Sequence, residues 1–320
     1  MDPIPFPTDW LLHSDEPWVR FRTRSDFLGE AVERERTEVL RHPAVRAILE
    51  EAARWPGNST GNHQSGKDLL NKLVLLADFG VRSMDPLAQQ FFKRVVQNQR
   101  EDGALLGHVV MPMKKSAEWL FDIDGQDPLL ALVSMGFGNE TTVLKAVDYL
   151  ANLSLPSGGW IWPQAKSPLP CRKPEGGCPY PTLKILRILA HCPKWFDSKV
   201  TRSGVALLLS LWEERERSGR YGFGMGGRFR KLKYPFIWFD VLHVLEALSP
   251  YPWVWKTEAF GELLEIVVSK SDEEGRFTPE SVWMEWKNLT FGQKKEPSAW
   301  LTLVIHRILA RNPDLKVRKS

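Results

Sequence analysis

Cysteine is scarce in this chain: there are three, Cys171, Cys178 and Cys192, among 320 residues. So sparse and odd a set makes no disulfide framework, and a reducing, cytoplasmic setting is expected. Long apolar runs are missing as well. No stretch approaches the ~18–20 apolar residues that cross a bilayer, so no membrane span is expected. The first residues, Met1-Asp-Pro-Ile-Pro-Phe-Pro7, lack the basic-then-apolar order of a cleaved secretion signal. Nor does charge of one sign dominate, because a net charge of +4 is too small to point to nucleic acid as a partner.

With 43% hydrophobic and 26% charged residues, what remains has the composition of a soluble globular protein. Fourteen tryptophans are many for this length, and they either fill a core or line a cavity. The larger signal is a repeat. Segments 99–105, 154–160, 215–221 and 271–277 each end a helical run on a glycine (Gly103, Gly158, Gly219, Gly275) and place Leu105, Trp160, Tyr221 or Phe277 two residues later. The glycines are about 55, 61 and 56 residues apart, the length of a helical hairpin with its loops, and such self-similarity marks a repeat architecture.

Helical patterning alternates between two kinds of segment. Residues 68–79, 128–135, 182–190, 239–248 and 299–309 are apolar nearly all round, whereas 86–99, 142–153, 200–215 and 257–270 carry charges at helical spacing. The first kind suits an inner layer and the second an outer one. Two further helices, 30–40 and 44–55, are split by His42-Pro43, since proline disfavours helix in the residue before it. Residues 1–27, rich in proline, are expected as an extended arm, and 28–320 as one all-α domain, an α/α toroid of about six helical hairpins. In such a ring the glycine turns, the loops and the N-termini of the inner helices share one mouth. Helix N-termini favour anions and thiolates, and the residues placed there are His63, Asp122, Asp124, Asp127, Cys178, Asp240 and His243.

Two constellations at that mouth carry chemistry. Asp240 and His243, three apart, share a helix face, and Cys178 opens the neighbouring inner helix, where the macrodipole favours a thiolate. One Cys, one His and one carboxylate with an open fourth position make a candidate catalytic zinc set, with Cys171 as an additional ligand. The plain alternative makes Cys178 a small buried residue, Asp240 a helix cap and His243 a satisfied core histidine. The second constellation is the basic run 226–235, with Arg228, Arg230, Lys231 and Lys233. It suits a diphosphate or another anionic ligand, or else is a solvated loop or a patch for a protein or RNA phosphates. Near the C-terminus, Trp283, Trp286 and Trp300 bracket Phe291 and the pair Lys294-Lys295, as a closing contact of the ring would.

The glycine-aromatic turns resemble the repeat of the terpenoid-cyclase and protein-prenyltransferase toroids over about residues 60–312. Within it, Gly158-Gly-Trp160, Lys173 and Gly177-Cys178-Pro-Tyr180, followed by Asp240-Val-Leu-His243, are similar to segments of the prenyltransferase β subunit. The resemblance implies zinc held by Cys178 and His243, a prenyl diphosphate contact at Lys173, and a partner chain as the α subunit. Gly176 stands where that family has its aspartate ligand, so Glu175 or Asp240 would take that part. Arg172, Trp160, Tyr180, Arg230, Lys231, Lys233 and His63 complete the candidate ligand-binding set.

The segment Phe121-Asp122-Ile-Asp124-Gly125-Gln-Asp127 resembles the Asp-rich motif of squalene-hopene-type cyclases. That likeness implies Asp124 as the acid that starts a cation cascade, with Gly125 where the family has a second aspartate. Burial raises a carboxyl pKa and aromatic faces stabilise cations, as such chemistry needs. Asp122, Asp124 and Asp127 are equally ordinary helix-entry residues. The expected activity is that of a prenyltransferase-like or cyclase-like enzyme acting on an isoprenoid or other apolar, anion-tailed substrate, with or without zinc. A non-catalytic binding or scaffold protein on the same fold is the other expectation.

Overall fold

The computed structural model describes residues 4–56, 65–105, 107–110, 117–120, 126–161, 176–218, 223–224, 226–312 and 314. His63, Asp122, Asp124, Cys171, Arg172, Lys173, Glu175 and the turn glycine Gly219 lie outside them. The chain divides into two compact units: a terminal unit of residues 1–45 and 226–320, and a middle unit of residues 46–225.

The terminal unit begins with α1 (Thr8–Leu12), α2 (Pro17–Arg22), a π-helical stretch over Thr23–Leu28, and α3 (Glu33–Arg41). The extended arm expected over residues 1–27 is therefore largely wound into helix. Pro17 sits at the first helical position of α2, where its missing N–H costs nothing and its fixed φ suits a helix. Leu11, Trp18, Val19 and Phe21 then supply a fully buried face. The chain leaves this unit within α4 (Pro43–Ala52), after an extended His42 of the kind a following proline imposes.

The middle unit holds α5 (Leu69–Phe79), α6 (Pro86–Val96), α7 (Gln126–Met135), α8 (Thr141–Asn152), α9 (Pro179–Leu189), α10 (Pro193–Phe196), α11 (Lys199–Glu213) and α12 (Arg215–Ser218). The two expected kinds of helix are present. Helices α5, α7 and α9 pack side by side, and α9 is buried along its whole length, α7 everywhere but Ser134. By contrast α8 buries one stripe, Val143, Ala146, Val147, Leu150 and Ala151, at the spacing of a helix covered on one side. The chain is not purely helical. Strands β1 (Gly107–Val110) and β2 (Ala117–Leu120) form an antiparallel hairpin with Gly107 opposite Leu120, four-residue runs too short to register as strands in the sequence pattern. The terminal unit resumes with α13 (Val241–Leu248), α14 (Glu258–Val268) and α15 (Ala299–Leu309), and α15 packs on α1, α2 and α13. No helix among the described residues is long and apolar enough to cross a membrane.

Three of the four glycine turns are described, and they are built alike. The glycine N–H donates to the carbonyl three residues back, whose own N–H donates to the carbonyl just past the glycine: Gly103 to Arg100 and Arg100 to Ala104 (both 3.0 Å), Gly158 to Leu155 and Leu155 to Gly159 (both 2.9 Å), Gly275 to Asp272 and Asp272 to Arg276 (both 3.0 Å). All three glycines are left-handed, at φ +96°, +95° and +76°. A methyl group on Gly103 would lie 2.5 Å from the Lys145 carbonyl oxygen, and one on Gly158 2.7 Å from that of Ser203. Lys145 and Ser203 occupy the fifth position of α8 and of α11, so each turn abuts its neighbouring helix at the same place. At Gly275 the abutting group is the Pro5 carbonyl, 1.9 Å from such a methyl. Within the terminal unit, the segment at Pro5 thus abuts Gly275 as α8 and α11 abut Gly103 and Gly158.

At two of these turns the residue two past the glycine then fixes the following helix, α9 or α15. Trp160 N–H donates to Thr182 Oγ1 (3.1 Å) and Phe277 N–H to Thr302 Oγ1 (2.9 Å), the fourth residues of α9 and α15. Their carbonyls accept from the N-cap residues Cys178 (2.7 Å) and Ser298 (2.9 Å).

Candidate functional site

Polar residues stand at the N-cap positions of α5, α13 and α15. Asp68 caps α5 through Leu70 N–H, Asp240 caps α13 through His243 N–H, and Ser298 caps α15 through Leu301 N–H. Cys178 occupies that position on α9, where its side chain makes no cap bond. The repeat thus puts Cys178 and Asp240 in the same structural role, each in its own unit.

In the terminal unit Asp240 is the most perturbed acid. Its buried carboxyl accepts the His243 N–H at 2.9 Å, yet burial pushes its pKa up to about 7, against the opposing pull of that bond, of Lys233 and of Leu242 N–H. His243, wholly buried, donates from Nδ1 to the Trp238 carbonyl (3.1 Å), which places a proton on Nδ1. Phe236 stacks on its ring at 5.5 Å. Tyr234 packs edge-on against Phe236, Phe291 and Trp300, so Trp300 belongs to this cluster, and Trp286 meets Phe291 at 6.2 Å. Of the basic residues, Arg230 and Lys231 are exposed, while Lys233 is half-buried, with Nζ 3.2 Å from the centre of the Trp283 ring.

In the middle unit the structure assembles a group that residue-by-residue reading of the sequence did not. Lys184 Nζ, buried on α9, donates to the Asp127 carboxylate on α7 and to Tyr180 Oη at 2.6 Å. Burial pulls the lysine toward neutrality, but Asp127 and Tyr180 outweigh it and its pKa is raised; burial likewise pushes the Tyr180 phenol up to about 12, Lys184 opposing and Asp127 and Asp68 adding to the rise. Beside Asp127, the fully buried Gln126 finds no partner for either amide atom among the described residues, which marks a place for a water or a ligand group. The available signal was a lysine, with Arg187 one turn on, inside a largely apolar helix. Trp160 is spent structurally: its indole donates to the Leu150 carbonyl at 2.7 Å.

No protein-family model and no curated protein matches this chain. For zinc, Asp240 and His243 supply two oriented donors from one unit, and among the described residues no three His, Cys, Asp or Glu side chains gather as a metal site requires. Cys178 belongs to the other unit, and Glu175 and Cys171 lie outside the described residues. The described residues do not by themselves make the expected zinc site.

Proposed function

We propose that this chain is an α/α toroid of the prenyltransferase and terpenoid-cyclase kind, that it takes an isoprenoid or other apolar, anion-tailed ligand, and that Asp240 moves a proton on that ligand. The alternation of buried and one-faced helices and the three identical glycine turns support the architecture. The observation that carries the chemistry is the buried Asp240 carboxyl with a pKa near 7, at the end of the aromatic run Tyr234–Phe239. A carboxyl with that pKa is part protonated at neutral pH and serves as acid or base. Aromatic faces next to it stabilise a carbocation that protonation creates. Arg230 and Lys231 are the exposed cations for an anionic tail. Asp124 remains the acid of the alternative cyclase reading.

Farnesyl diphosphate titrated against the tryptophan fluorescence tests binding, and mass spectrometry of the extracted products tests turnover. Asp240→Asn keeps the cap acceptor but cannot ionise, so it is expected to bind as wild type and to lose turnover. Saturable binding with no product from either protein would instead favour the binding-protein reading, which the capping role of Asp240 and the carbonyl-held His243 also fit. Elemental analysis of untagged protein decides zinc: stoichiometric metal lost from Cys178→Ala/His243→Ala would restore the metal-assisted reading.

A further inference from the structure

Two segments far apart in the chain are fastened together at the surface of the terminal unit. Leu232 N–H donates to the Glu280 carboxylate at 2.8 Å, and the Glu280 and Ser281 N–H groups return to the Leu232 carbonyl at 2.9 and 3.2 Å. Lys270 bridges Glu280 and the Arg230 carbonyl, and the Trp283 indole donates to the Pro235 carbonyl at 3.2 Å. The basic run and the turn after Trp283 are therefore one braced surface.

That surface carries an apolar tip. The 3-10 turn Met284–Trp286 buries Trp286 and leaves Met284 68% exposed. Lys287 follows three residues on, the interval at which a 3-10 turn eclipses its side chains, so this exposed lysine shares the side of the methionine. Before the tip stands Trp283, half-buried, with Lys233 Nζ over its ring. Arg230 and Lys231 are exposed on the fastened run, and among the described residues Lys231 and Lys287 enter no ion pair. Glu280 is held by Lys270 and Leu232, which leaves Glu285 as the further carboxylate of residues 230–233 and 280–287.

We propose that this face docks the protein peripherally on an anionic phospholipid surface, with Met284 as the inserted side chain. A methionine tip reaches the acyl boundary, an indole behind it sits at headgroup depth, and lysine and arginine stems keep their charges among the phosphates. Other macromolecules fit less well. A peptide is held in a groove or along a sheet edge, and single-stranded nucleic acid on open aromatic faces, whereas here one apolar side chain projects and Lys233 already lies on the Trp283 ring. Exposure alone does not make such a face. Met84 of the middle unit is as exposed, at 69%, but has Asp85 beside it and a single nearby cation, Arg82. The proposal does not depend on the ligand proposed above.

Sedimentation of the purified chain with vesicles is the test. Vesicles of about one-third phosphatidylserine in phosphatidylcholine should carry the protein down, and pure phosphatidylcholine should bind it at least about tenfold less, because each cation near an anionic surface is worth about fivefold. Lys231→Gln/Lys287→Gln should weaken the binding by about 25-fold, and added salt should weaken it in the wild type. Met284→Ser should cost about tenfold on the same vesicles, while Met84→Ser binds as wild type. All three variants should keep the wild-type circular dichroism. Equal sedimentation with both vesicles, or with neither, would overturn the proposal. So would equal losses from the two methionine changes, or no loss from Met284→Ser, which would leave an electrostatic contact without insertion. Binding to polyuridine or to polyglutamate without binding to vesicles would assign the face to a nucleic acid or to an acidic protein instead.

Discussion

Each unit of this protein sets a lysine against an aspartate, and the two settings have opposite consequences. In the middle unit Lys184 touches Asp127 and Tyr180, all three buried, and contact outweighs desolvation, so the lysine holds its proton more tightly. In the terminal unit Lys233 and Asp240 feel each other without forming an ion pair, and desolvation wins on both: the lysine's pKa falls and the acid's climbs to about 7. The same residue types are locked at contact distance and poised beyond it, because Coulomb attraction in a low dielectric falls off with distance while the cost of burial does not.

Breaking the closed pair is the most damaging change expected. Lys184→Met leaves the Asp127 charge buried alone and should cost about 3–5 kcal/mol in denaturant unfolding, whereas Lys233→Met should cost under about 1 kcal/mol. An equal loss from both would erase the distinction.

The poised acid is tested by pH. The folded pKa of Asp240 is raised above the unfolded value, so its contribution to stability is complete in acid and is lost as pH rises through about 7. Asp240→Asn mimics the protonated form, and should gain on wild type between about pH 4 and 7, by roughly 3–4 kcal/mol at full ionisation, and then level off. Thermal melts of both proteins across pH check the sign; a gap that does not change with pH would mean an ordinary carboxyl.

The turns allow a comparison of the two units at a matched position. Gly158→Ala and Gly275→Ala should each cost about 1–3 kcal/mol, since both need a left-handed residue pressed on a carbonyl. Gly227, with nothing within 4 Å of a new methyl, is the control and should accept alanine with little change. Tyr180→Phe, which removes one of the two partners of Lys184, should cost about 1 kcal/mol.

Much of this was legible in the chain itself. The 299–309 run is α15 to the residue, and the 68–79 run is α5 preceded by its cap, because an apolar stretch bounded by a capping side chain is a local instruction. The helices within the first 27 residues are not legible, since proline at a helix start and proline in an extended arm look the same without the surface that buries Trp18 and Phe21. At the site, the helix cap of Asp240 and its pairing with His243 follow from three-residue spacing. The aromatic seat of Lys233 does not, because Trp283 lies fifty residues along the chain.

The sequence alone determined the repeat, the two kinds of helix and the glycine turns, all of which arise from periodicity and backbone sterics within a few residues. Only the tertiary structure decided that Lys184 is locked and Lys233 is poised, and that the Pro5 carbonyl abuts Gly275 where helix carbonyls abut Gly103 and Gly158. Those outcomes depend on distances between segments remote in sequence and on how much water is excluded there, which no local pattern encodes.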